Sequence, residues 1–156
     1  MKYTGAYALL LALHLLTVVA VIGPLLVTPP MAARAVRAGR VDALRDHLRT
    51  TRVYAVASTV VVLLGSAMVG LGDVGGQWSY SQAWISASYV LWLVSVVLLL
   101  AVVVPAQATA VERLEAGEDA GRQEVAALAG RISAAGGLAA LALAAVIVLM
   151  VVKPGA

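Results

Sequence analysis

The chain has no cysteine and no phenylalanine, only two lysines, and no carboxylate in any of its long apolar runs. Each absence excludes something. Without cysteine there are no disulfides, iron–sulfur clusters or thiolate metal sites. Without Asp or Glu at mid-membrane depth, a proton-coupled transporter of the usual kind lacks its titrating group. The chain also has no glycine-rich phosphate loop, no His/Glu cluster at metal-ligand spacing, and no nucleophile beside a base. An enzyme that works without a cofactor is therefore not expected, and no metal site is read from ligand spacing.

What is present is hydrocarbon. Of the 156 residues 62% are hydrophobic and 12% charged, and the mean hydropathy of +0.97 is one a water-soluble domain of this size would not tolerate. Apolar runs at 5–27, 53–71, 82–104 and 132–152 are each long enough to cross a hydrocarbon core of about 30 Å at about 1.5 Å per residue. The expected fold is all-α: an integral membrane four-helix antiparallel bundle. A cleaved signal peptide is the alternative for the first run, but one lysine ahead of it and its length favour a span.

Charge sets the orientation. The connection at 28–52 carries Arg34, Arg37, Arg40, Arg45, Arg49 and Arg52, and that at 105–131 carries three further arginines. By the positive-inside rule both connections are cytoplasmic, so the N-terminus and C-terminus lie outside. Arginine outnumbers lysine nine to two in an Ala-, Val- and Gly-rich chain, a bias of GC-rich bacterial genomes, and the inner (plasma) membrane is the expected location. The expected partner of the basic face is the lipid bilayer rather than nucleic acid. The first connection is net positive and the second net negative, so the two are expected to pair.

Several local expectations follow. Gly23 and Pro24 should kink or end the first helix, with Pro29 and Pro30 completing the stop. Val41, Leu44 and Leu48 fall on one face of a helix that would lie at the inner membrane surface. Trp78, Tyr80 and Trp84 form an outer aromatic belt. Ser133 over Gly137, Gly136 over Ala140 and Ala144, and Ser66 over Gly70 make small-residue seams, for packing within the bundle, against another copy, or against other membrane subunits. No internal repeat is visible.

Polar residues inside the spans recur at intervals of seven: Tyr7 and His14, then Thr59 and Ser66, then Ser81, Ser88 and Ser95. Each set forms a stripe that is costly in lipid and should face the bundle interior, and Trp92, too deep for the belt, needs an interior partner for its indole N–H. His14 stands near mid-membrane. One reading makes it a core tie between helices; the other makes it a ligand to haem, copper or a quinone. The only other imidazole, His47, lies in the arginine-rich connection, which excludes bis-histidine haem within one chain. Met68 could supply sulfur, but sits nearer the outer end of its span.

The stretches "LHLL" with His14, "VIGPLL", the arginine-rich connection, Trp84 and the terminal "LMVVKPG" give the whole chain a resemblance to a family of small bacterial predicted integral membrane proteins classed as a domain of unknown function. That family is similar in general pattern to the CopD copper-resistance and HemJ-type membrane proteins. In HemJ-type proteins a first-span histidine is associated with haem, a role the resemblance would give to His14. The membrane lysine and further histidines of that type are missing here, so its porphyrinogen-oxidising activity is not implied. From the residues, three functions stay open: an accessory or scaffold subunit of a larger respiratory or transport assembly, a cofactor-binding protein using His14, and a small channel or carrier. No bound cofactor is expected under the first.

Overall fold

The structure, a computed structural model, describes residues 5–73, 79–117 and 121–155. Four long helices account for nearly all of them: α1 Gly5–Arg37, α2 Val41–Asp73, α3 Ala83–Glu115 and α4 Arg122–Val152. All four are long and apolar enough to cross a membrane. At 33 residues, α1 is about 50 Å long, against a hydrocarbon core of about 30 Å, so its arginine-bearing end projects past the apolar region.

The connections are shorter than the sequence suggests. Between α1 and α2 only Ala38, Gly39 and Arg40 are non-helical, and the turn is made by Gly39 at φ +62°, a left-handed conformation that glycine adopts without a Cβ penalty. The amphipathic stretch at Val41 is therefore no separate surface helix. It is the first turns of α2, and its buried Leu44 packs into the bundle rather than onto lipid.

Pro29 and Pro30 do not stop α1, which runs on to Arg37 with both rings inside it. The distortion lies upstream, where Val18–Ile22 forms a five-residue π turn just ahead of Pro24. A proline removes one helical donor and crowds the preceding turn, and widening that turn by a residue makes room for the ring. In α3 the same device recurs, with a π turn at Leu99–Val103 just ahead of Pro105.

This recurrence sets a common register for the two helices. Pro24 and Pro105 are 81 residues apart, and the same shift carries Ala20, Val21 and Thr28 onto Ala101, Val102 and Thr109. It also carries the buried positions Thr51, Ala55, Ser58 and Val61 of α2 onto Ile132, Gly136, Ala139 and Ala142 of α4. The molecule is two helical hairpins, α1–α2 and α3–α4, running in the same sense.

Beyond the π turns, towards the arginine end, α1 packs on both α2 and α4, and α3 likewise packs on both. Gly136 lies directly under the Pro29 ring, where a methyl group would overlap it. Of the small-residue seams, Gly136 is a close approach, whereas Gly137 and Gly70 have no neighbour within 4 Å of where a Cβ would stand and Ala144 is exposed. Thr51 and Gln107, both fully buried, are joined by a hydrogen bond of 3.3 Å. At the exposed end Arg45 contacts Glu115 of the second connection at 2.6 Å and Asp42 at 3.0 Å, joining the two charged segments. All six arginines of the first connection are exposed.

Candidate functional site

On the other side of the π turns, towards the termini, the helices part and enclose a cavity of about 260 Å³. Every helix contributes one face at three- and four-residue spacing, as an apolar stripe must. From α1 come Tyr7, Leu11, His14, Leu15, Val18 and Ile22, a run of about 22 Å at about 1.5 Å per residue. The deep end thus includes both ends of the first π turn, a feature frequent at functional sites.

Aromatic side chains concentrate here. Tyr7, Trp84, Tyr89 and Trp92 line the cavity, four of eight in a chain with three tryptophans, five tyrosines and no phenylalanine. Lys153, the left-handed cap of α4, closes the end near the termini with its ammonium 5.9 Å from the Trp84 ring centre.

His14 lies against α2 at Gly65. Its Cε1 is 3.2 Å from where a Cβ at Gly65 would stand, so glycine is what lets the imidazole reach this depth. The Val61 backbone, one turn away, is close enough to the ring for a weak hydrogen bond, and Nδ1 is turned into α2 and away from the cavity space. Met68 and Met150 bring thioether sulfurs to the same cavity.

The other polar residues named from sequence divide. Ser66 accepts from or donates to Tyr89 Oη at 2.6 Å, and its carbonyl accepts from Tyr80 Oη at 3.0 Å. Ser88 donates to the Trp84 carbonyl, and Ser95 donates to those of Leu91 and Ala139. Tyr7 and His14 line the cavity, but Thr59 is exposed and Ser81 is exposed near the start of α3. Beside exposed Thr59 it is Ser58 that is fully buried, accepting from Trp92 Nε1 at 2.9 Å. Trp92 thus has its partner one position away from the stripe inferred by heptad spacing. Tyr89, Ser58, Gln107 and Gly65 were missed, although Thr51, Ser58 and Gly65 are themselves seven apart on one face. Of the aromatic belt, Tyr80 is exposed and Trp84 buried, and Trp78 lies outside the described residues.

His14 is the one histidine among the residues lining this cavity, so the cavity offers no second imidazole to hold haem from both sides. Among the described residues no group of three His, Cys, Asp or Glu side chains could hold a metal ion.

Fold and cavity together define a four-span α-helical membrane protein with an aromatic-lined pocket beside a single intramembrane histidine. The chain belongs to the family described as Predicted integral membrane protein (DUF2269), whose model matches residues 8–154. No curated protein and no solved structure matches it.

Proposed function

We propose that this membrane protein binds a small, ring-bearing apolar ligand of the quinone type between its four helices, with His14 as the polar anchor. The observation that carries the reading is the His14 imidazole standing in the wall of an aromatic-lined cavity, the one ring nitrogen-bearing side chain besides tryptophan that lines it. A quinone ring supplies apolar faces for Trp92 and Tyr89 and a carbonyl oxygen for an imidazole N–H. The chain's own contribution is to bind and orient: Gly65 admits the imidazole, and the surrounding hydrocarbon excludes water that would compete for it. When bound, the quinone would supply two-electron redox chemistry.

Copper is the second reading, favoured by Met68 and Met150 beside His14, since thioether and imidazole donors suit Cu(I). An accessory role in a larger assembly ranks below both, because the exposed hydrocarbon faces that would carry it are equally the faces that lipid covers.

The test is a titration of the purified protein in lipid nanodiscs with decyl-ubiquinone and, separately, with Cu(I), reading tryptophan fluorescence. Saturable quenching by the quinone is expected, and His14→Leu should weaken it about two- to tenfold, the worth of one hydrogen bond. Saturation by Cu(I) alone would replace the quinone reading with the copper one. If neither probe saturates, ligand binding at His14 is wrong.

A further inference from the structure

The 81-residue shift that brings Pro24 and its π turn onto Pro105 and its own makes the seam between α2 and α3 the counterpart of the seam between α4 and α1, yet the two are built differently. Across α2 and α3, Trp92 donates to Ser58 and Tyr89 pairs with Ser66. Shifted by 81 residues, those four positions become Leu11, Ala139, Ala8 and Ile147. Their side chains are hydrocarbon and cannot reproduce either hydrogen bond.

The cavity is exposed along that second seam. The wall residues Leu15 of α1 and Ile147 and Val151 of α4 are 55%, 38% and 77% exposed. By contrast, every cavity-lining residue of α2 and α3 is buried or half-buried. In a four-span bundle a face of this composition meets acyl chains rather than water.

We infer that the cavity opens sideways into the bilayer between α1 and α4, and that its ligand is a tailed, membrane-dissolved molecule whose head enters by this seam while its hydrocarbon tail stays in lipid. This deepens the ligand-binding reading and rests on it for the identity of the head. The volume agrees, because about 260 Å³ accommodates a ring or a short piece of chain but not a whole lipid.

The chain has no native cysteine, so a single reporter thiol is unambiguous. In liposomes, Ser88→Cys on the cavity wall and Val90→Cys on the exposed face of the same helix are labelled with a maleimide carrying a long acyl chain, and in parallel with a charged, water-soluble methanethiosulfonate. Both cysteines should react with the acyl reagent, and Ser88→Cys should resist the charged one. Copying the closed seam onto the open one, with Ala8→Tyr and Ile147→Ser, should slow acyl labelling of Ser88→Cys about tenfold, equivalent to roughly 1.4 kcal/mol on the entry barrier, and leave Val90→Cys unchanged. Leu15→Trp, which narrows the seam by bulk alone, should act in the same direction if the double variant does not fold. Unchanged Ser88→Cys labelling in a folded blocked variant, or labelling by the charged reagent instead, overturns the inference. Neither outcome depends on the nanodisc titration, so loss of the portal and loss of the quinone or copper reading are separately visible.

Discussion

At the scale of single residues, two adjacent glycines make opposite predictions. Gly136 meets the Pro29 ring, whereas Gly137 has nothing within 4 Å of where a Cβ would stand. Gly136→Ala must push α1 and α4 apart and should cost about 1–3 kcal/mol, the usual range for overpacking. Gly137→Ala should be neutral or stabilise by up to about 1 kcal/mol through helix propensity. Thermal unfolding in detergent checks both, and equal shifts of the same sign would contradict the packing. The adjacent hydroxyls Ser58 and Thr59 behave in the same paired way. Ser58→Ala leaves the Trp92 indole N–H without its acceptor and should cost about 0.6–1.7 kcal/mol, whereas exposed Thr59→Val should cost close to nothing. The sequence alone could not choose between these neighbours, because in a membrane both the bundle interior and the lipid are apolar. Hydropathy therefore locates a span without saying which face is inside. Heptad spacing selected Thr59 by its distance from Ser66; the buried face runs instead through Thr51, Ala55, Ser58 and Val61.

At the scale of elements, the apolar runs were legible and the helix ends were not. Four spans followed from run length and charge, since a charged residue in hydrocarbon is costly and hydropathy measures that cost. The helices then continue beyond the apolar stretch for reasons hydropathy does not contain. Pro29 is buried against Gly136 of α4, Pro30 stands exposed on the outer face of the helix, and the irregularity in α1 lies at the π turn before Pro24. The charged extensions of α2 and α3 meet through Arg45 and Glu115, whose side chains are 53% and 42% exposed. Exposed pairs are screened by water and salt, so a double-mutant cycle with Arg45→Ala and Glu115→Ala should give a coupling of at most about 1 kcal/mol, shrinking as salt is raised. A salt-independent coupling well above that would mean the pair is shielded in the membrane-bound protein.

At the scale of the whole molecule, the contacts between the two hairpins decide how the chain holds together. In each hairpin the arginine-end half of the first helix, α1 or α3, packs against the second helix of the other hairpin. Pro29 on Gly136, Gln107 on Thr51, Trp92 on Ser58 and Glu115 on Arg45 are all contacts between hairpins. Interfaces of this kind, made by close packing and buried hydrogen bonds, form between helices already inserted in the bilayer and do not need a covalent link. Residues 1–78 and 79–156, expressed together as separate chains, should therefore insert and associate, so that a tag on either fragment recovers the other at one to one. The same experiment with Gly136→Leu in the second fragment should lose the partner, because the larger side chain would occupy the space of the Pro29 ring; Gly137→Leu, placed where there is room, should retain it. Recovery that is indifferent to Gly136 would show that the hairpins meet through some other surface, and the cavity they enclose, which depends on this packing for its floor, would have to be redrawn.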